Sequence, residues 1–333
     1  MKTVLIIFTA ALLSVLAGCN GTIEKIKPLR EGRELLTVDF QKGQSLRYKF
    51  VSSREIRLNW GSTGGPGKRG EDYVDESSES LDMVVAYTPI ETDPYGLTTI
   101  KATCESARVN RSPRKGRRAA KDAVQNLAGK TFTFTVQSTG KIEDYSQLDE
   151  LIKKIGEKAF RPDSRQGRIK EPDMISDFIA GQWFLWDSVS SIKKPAEGVS
   201  VGQSWQSRLS LPTPMVMRKA RDVTYTLDEI RQSPKGRLAV IRSSYSLAKS
   251  VPRTWPIPYT GSFRVSRKFG MLRGYKVLDL KGGGEELFNI DAGRIERYNQ
   301  QYQMQVGASL LLPLPGANPL ITIKQKLTMQ LID

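Results

Sequence analysis

The chain has no histidine among its 333 residues. That absence removes Ser-His-Asp and Cys-His catalysis and every imidazole-ligated metal site. Cysteine is almost missing too, with only Cys19 and Cys104, so no zinc spacing exists. No calcium-loop pattern appears either. The one glycine run, Lys281-Gly282-Gly283-Gly284, reads as preceding a strand. A phosphate-binding loop would precede a helix. No metal and no cofactor are expected. Acidic residues are in deficit, 35 against 51 Lys and Arg, for a formal net charge of +16. Hydrophobic residues make up 39%, which excludes both a disordered chain and a polytopic membrane protein.

The longest apolar run is also too short for a spanning helix, which needs about 20 residues. It lies at the start, from Val4 to Leu16, behind the single charge of Lys2. That charge and that length suit a secretory signal. The run ends in Leu16-Ala17-Gly18-Cys19. This resembles the lipobox of bacterial lipoproteins, where a branched apolar residue and two small residues precede an obligatory cysteine. The resemblance implies cleavage before Cys19, lipidation of Cys19, and attachment to a membrane by several acyl chains, enough for stable anchoring. Asn20 stands where an Asp would favour inner-membrane retention, which leans toward the outer membrane facing the periplasm if the host is diderm. Residues 1–18 are then the signal peptide, and 19–36 the lipidated cysteine and a polar tether. With Cys19 acylated, Cys104 has no internal disulfide partner. It sits in Thr98–Cys104, which reads as a strand, and is expected to be a small buried hydrophobe.

Beyond the tether, three landmarks recur in the same order. Lys42-Gly43-Gln44-Ser45-Leu46 resembles Val201-Gly202-Gln203-Ser204-Trp205, and each opens an alternating strand. A hairpin follows in each half, around Pro89–Gly96 and around Gln232–Gly236. Phe134 to Glu143 then resembles Phe288 to Glu296, with Gly140 and Gly293 punctuating a strand-turn-strand step. Apolar and polar residues alternate through most of both halves, as in Thr131–Val136. Period two with one wet face implies antiparallel sheets. The expected fold is mainly β: two tandem related antiparallel repeats, as curved sheets or open barrels, over 37–143 and 196–333. A helical insert is expected between them over 144–195. In it, Leu148, Leu151, Ile152 and Ile155 follow helical spacing with Asp144 or Ser146 as caps. A second helix is expected from Ile175 to Val189. Ile321, Ile323, Leu327, Met329 and Leu331 read as a final edge strand.

Charge carries the functional signal. Arg108, Arg111, Arg114, Lys115, Arg117, Arg118 and Lys121 form a basic block without an acid. A second acid-free stretch from Lys249 to Lys276 contains Arg264, Arg267 and Lys268. Such blocks attract polyanions. Nucleic acid is a poor partner for an exported lipoprotein, and the first block lacks interleaved aromatics for base stacking. An anionic envelope polymer or lipid is the expected partner. The aromatic residues Phe178, Trp183, Phe184 and Trp186 suit either core packing or an acyl-chain pocket. Adjacent Glu285 and Glu286 point to opposite faces of a strand and do not share a site.

The sequence thus resembles β-rich lipoproteins of bacterial envelopes. It reads as a non-enzymatic binding or scaffold module for an anionic envelope component. The alternatives are a lipid or lipoprotein carrier with a hydrophobic cavity, which needs strands apolar on both faces, and a glycan-acting enzyme, which needs two converging acids in a cleft.

Overall fold

A computed structural model describes residues 32–60, 74–112, 122–158, 168–169, 174–213, 219–252, 264–265, 272–310 and 319–332. In chain order the strands begin with β1 (Arg33–Glu34), β2 (Leu46–Asn59), β3 (Val74–Thr92), β4 (Thr98–Arg111), β5 (Thr131–Val136) and β6 (Ile142–Asp144). Helix α1 (Ser146–Lys158), β7 (Arg168–Ile169), α2 (Ile175–Phe184) and α3 (Asp187–Ser190) follow. Then come β8 (Val199–Ser200), β9 (Ser204–Leu211), β10 (Lys219–Ser233), β11 (Gly236–Leu247), β12 (Arg264–Val265), β13 (Leu272–Asn289), β14 (Arg294–Leu310) and β15 (Leu320–Leu331).

The long strands form a single 11-stranded sheet in the order β6-β5-β4-β3-β2-β15-β14-β13-β11-β10-β9. Every neighbouring pair in it is antiparallel. Two consecutive meanders, β2 to β6 and β9 to β14, are therefore joined through β15. The expected edge strand is instead central, with Leu331 opposite Tyr48 on one side and Gly307 opposite Leu320 on the other. Its alternating Ile321, Ile323, Leu327, Met329 and Leu331 are buried, so the period was correct and the position was not. Two small pairs accompany the sheet, β1 with β8 and β7 with β12.

One face of the sheet is dry. In β2, Tyr48, Phe50, Ser52, Arg54, Ile56 and Leu58 are buried while the intervening residues are open. Strands β3 and β15 alternate in the same way. Helix α2 lies on this inner face. It comes closest at Gly181, where an added Cβ would stand 3.2 Å from the Phe50 ring. The expected second helix breaks at Leu185-Trp186 into α2 and α3. Trp186 turns into an aromatic cluster with Phe40, Tyr87 and Phe134.

The glycine landmarks take matching geometries. Gly43 and Gly202 have φ of +79° and +84°. Each donates its N–H to the neighbouring strand, at Pro89 O and Leu227 O, and the glutamine after each closes the turn three residues back. Gly140 and Gly293 also have positive φ, which only glycine adopts without cost. Val38 N–H donates to Ser138 O at one of these turns, and Asp39 N–H to Gly293 O at the other. Gly282, Gly283 and Gly284 correct the sequence reading, for they lie inside β13 rather than before a strand. A Cβ on Gly282 would stand 2.3 Å from Gln301 O, and one on Gly284 would stand 2.7 Å from the Tyr245 hydroxyl. The missing side chains let β13 bend tightly against β14 and β11.

Candidate functional site

The inner face carries a row of polar residues crossing the strands. In register, Arg111 faces Glu79, Glu79 faces Arg54, Arg54 faces Gln325, Gln325 faces Tyr302, and Tyr302 faces Gly282. Each lies in phase with buried apolar neighbours on its strand, so the alternation that buries Phe50 and Ile56 also buries Arg54. The Arg54 side chain is 0% exposed and lies between Glu79 Oε1 at 2.6 Å and Asp177 Oδ2 at 2.7 Å. Burial works against its charge, but Asp177 and Glu79 more than offset this and hold its pKa above the ordinary arginine value. Asp177, from the first turn of α2, also accepts from Ser52 Oγ at 2.8 Å and from Gln325 Nε2. Arg111 bridges Glu79 to Asp122. Asp122 in turn caps the 3-10 turn Ala123–Leu127 and accepts from Met174 N at the start of α2. This network fixes where α2 meets the sheet.

A second polar cluster lies beneath α3, and its charges are arranged differently. Asp187 accepts from Ser207 Oγ at 2.9 Å and Tyr225 OH at 2.8 Å. Glu286 accepts from Ser188 Oγ at 2.6 Å, while its other oxygen has no partner. No arginine pairs with either carboxylate within ion-pair distance among the described residues. Burial pushes the Asp187 carboxyl up to about 6, against its bonds to Tyr225 and Ser207. Burial, with the nearby Asp187 charge adding to it, pushes Glu286 up to about 8. Arg221 is 0% exposed. Its guanidinium stacks 4.1 Å from the Tyr245 ring and 4.6 Å from the Phe184 ring. It donates one hydrogen bond, to Gln300, leaving Nε and Nη1 unpaired.

Both clusters are sealed from solvent, so neither offers a cleft to a substrate. Asp187 and Glu286 do converge, as a carboxylate enzyme would need, but in the packed interior. Phe178, Phe184 and Trp186 are core residues, and Trp183 packs edge-on against Tyr145 at 5.2 Å. Cys104 is fully buried, with burial raising its thiol to about 12, as expected of a small hydrophobe in a strand.

The one depression described opens on the outer face. It has a volume of about 880 Å³ and is lined by residues of β2, β3, β4, β13, β14 and β15. The inner-facing members of that lining, Arg54, Glu79, Gln325 and Tyr302, are buried. The side chains a solute can reach are therefore the outward ones. They form two cross-strand rows. One runs Asn110, Ser80, Ser53, Lys326, Gln301, Gly283, and the other Ser78, Glu55, Lys324, Gln303, Lys281.

The sequence-predicted basic residues are only partly placed. Arg108 is exposed on the outer face of β4. The head of Arg111 is turned inward to Glu79 and Asp122, so the structure does not bring Arg108 and Arg111 together. Arg264 contributes its backbone to the pair with Arg168. Cys19, Arg114, Lys115, Arg117, Arg118, Lys121, Arg267 and Lys268 lie outside the described residues. Sequence reasoning missed Arg54, Glu79 and Arg221, and gave Glu286 no site. Their phase with Phe50, Leu81, Val223 and Phe288 was the signal that marks them as interior.

The fold defines a class of antiparallel β protein in which helices cover one face of a long meandering sheet. A model described as "Family of unknown function (DUF6263)" matches residues 98–292. That is more than half of the chain, and the protein belongs to this family. Comparison with curated proteins finds no match. A structure of lipovitellin, solved to describe its lipid–protein interactions, aligns at 12% identity with a TM-score of 0.38, covering 89% of this chain and 26% of lipovitellin. The chain thus spans about a quarter of that protein's length. A mutant Rh. blastica porin aligns at 8% identity with a TM-score of 0.21, covering 85% of this chain and 99% of the porin. Neither TM-score reaches the level of a shared fold.

Proposed function

We propose that the protein is an envelope lipoprotein, held to a membrane through Cys19, whose β body is a non-enzymatic binding module acting through its outer surface on an anionic component. The observation that carries this reading is the division between the two faces. The inner face is filled by side chains of α2 and α3, while the outer face is open, polar and set in a chain of net charge +16. A carrier would need an apolar cavity. The central strands β2, β3 and β15 instead bury one face and keep the other wet. A carboxylate enzyme would need its acids exposed, and Asp187 and Glu286 are enclosed.

The same reading treats the two meanders as tandem copies of one unit with α1 to α3 inserted between them. The matching turns at Gly43 and Gly202, and at Gly140 and Gly293, support it.

The test uses the full chain. Cys19→Ala should release the protein from membranes after a salt wash, and retention would remove the anchor from the proposal. The purified chain, in detergent, should bind sodium polygalacturonate or phosphatidylglycerol vesicles, more weakly at high salt. Extraction of stoichiometric lipid from the chain, without polyanion binding, would replace the module with a carrier.

A further inference from the structure

The outer-face depression holds three lysines, of which Lys281 pairs with Asp279. Several basic residues elsewhere on that face pair with acids across the strands: Arg47 with Glu105, Lys49 with Asp82, Arg57 with Glu76, Arg208 with Asp222, and Arg242 with Asp228. At the centre of the sheet the pattern stops. Lys324 and Lys326 are exposed, project from the same face of β15, and make no ion pair among the described residues. Glu55 lies opposite Lys324 in register, yet no contact within ion-pair distance joins them. The outward residues of β14 beside them are Gln301 and Gln303, and those of β15 on either side are Thr322 and Thr328. Among the described residues, both ammonium groups therefore lack an ion-pair partner and stand beside amide and hydroxyl groups, with Glu55 close by.

The shape is as particular as the charge. The floor includes short side chains, Ser53, Ser78 and Ser80, and the far end passes over the bare backbone of Gly282. The longer row crosses six strands, a path of roughly 24 Å at the spacing of neighbouring strands. A path of that length at right angles to the strands suits an extended chain rather than a compact solute.

We propose that this trough is a binding site for a linear acidic polysaccharide. Lys324 and Lys326 would pair with its carboxylates, and Gln301, Gln303, Asn110 and the floor serines would hydrogen-bond its hydroxyls. A membrane surface is the less suitable partner. Docking on lipid wants apolar side chains to enter the interface, and none of the large exposed hydrophobics, Leu35, Ile90, Tyr95, Val201, Leu278 and Ile332, lines the trough. The inference rests on the outer-surface reading above and adds the place and the polymer class.

The test is binding of the full chain to sodium polygalacturonate, with neutral dextran and phosphatidylglycerol vesicles as comparison probes. The wild type should bind polygalacturonate and not dextran. Lys324→Gln with Lys326→Gln should weaken binding about tenfold and leave the melting temperature unchanged, because both side chains are exposed. Gln301→Ala with Gln303→Ala, which alters no charge, should also weaken it; an electrostatic cloud alone predicts no effect there. Lys141→Gln, outside the trough, should bind as the wild type does. If polygalacturonate binding survives the double lysine change, the trough is not the site and the outer-surface reading stands. Binding to vesicles alone would overturn the polysaccharide in favour of a membrane. Binding to no polyanion would overturn both proposals.

Discussion

The two meanders meet their helices through opposite electrostatic arrangements. In the first, every interior charge has a counter-charge: Arg54 between Glu79 and Asp177, and Arg111 between Glu79 and Asp122. In the second, acids and base are kept apart. Asp187 and Glu286 are held by hydroxyls, and Arg221 is held by aromatic rings and one amide. Similar burial thus leaves ion pairs on one side and, on the other, two carboxyls that burial pushes up with no arginine at ion-pair distance among the described residues. Burying charge is tolerable when the partners are within hydrogen-bond reach, and otherwise the group gives up its charge.

The sharpest way to break this comparison is to remove one interior charge from each half. Asp177→Ala leaves buried Arg54 with Glu79 as its one acid, and should cost about 3 to 5 kcal/mol in urea unfolding. Arg221→Met removes a cation with no carboxylate partner. The lost stacking and hydrogen bond should nearly cancel the regained desolvation, leaving stability within about 1 kcal/mol of the wild type. Equal losses from the two changes would show that the halves are electrostatically alike.

The next largest effect is pH dependence. The folded value of Glu286, about 8, lies above its ordinary value of 4.5. The folded state therefore holds a proton that the unfolded chain has released. The resulting stability is complete below about 4.5 and is lost as pH rises through about 8, at up to about 1.4 kcal/mol per pH unit. Asp187, raised to about 6 from 3.8, adds loss in the lower part of that window. Unfolding free energy measured from pH 5 to pH 9 should fall by several kcal/mol. Glu286→Gln with Asp187→Asn should flatten the profile, and a wild-type profile already flat would contradict the protonated pair.

A smaller effect compares equivalent turns. Nothing lies within 4 Å of a Cβ placed on Gly43 or Gly202, so only the positive φ opposes alanine there. Each Gly→Ala change should cost about 1 to 2 kcal/mol, with the two costs equal within about 0.5 kcal/mol. The same substitution at Gly293 should cost more, because its Cβ would meet Asp39 N at 2.5 Å. Smallest are the exposed ion pairs. Double-mutant cycles on Arg47–Glu105 and Arg208–Asp222 should each return about 0.2 to 1 kcal/mol, diminishing with salt.

Local features of the fold were legible because local chemistry determines them. Strand period at Leu46, Tyr48 and Phe50, the turn glycines, and helical spacing from Leu148 to Ile155 each reflect neighbours along the chain. Three features escaped for physical reasons. The continuation of β13 through Gly282–Gly284 depends on Tyr302 and Tyr245 from other strands crowding the space a side chain would occupy. The insertion of β15 between β14 and β2 is a pairing between residues remote in sequence, and an alternating strand carries no mark of its partner. The interior arginines Arg54 and Arg221 went unnoticed, although their phase with buried neighbours placed them inward. The trough was illegible altogether, since it brings together residues from six strands.

The position of β15 has a consequence for the order in which the sheet can be completed. Strand β2 has its β3 edge paired early, but its other edge waits for Leu320–Leu331, as does the open edge of β14. A chain that emerges from its N-terminal end must hold two long unsatisfied strand edges until Leu320–Leu331 is available. Such edges recruit other chains, and distant pairings form slowly. The vulnerable interval in the life of this protein is therefore the one before its last strand arrives, when two sticky half-sheets await a common wedge.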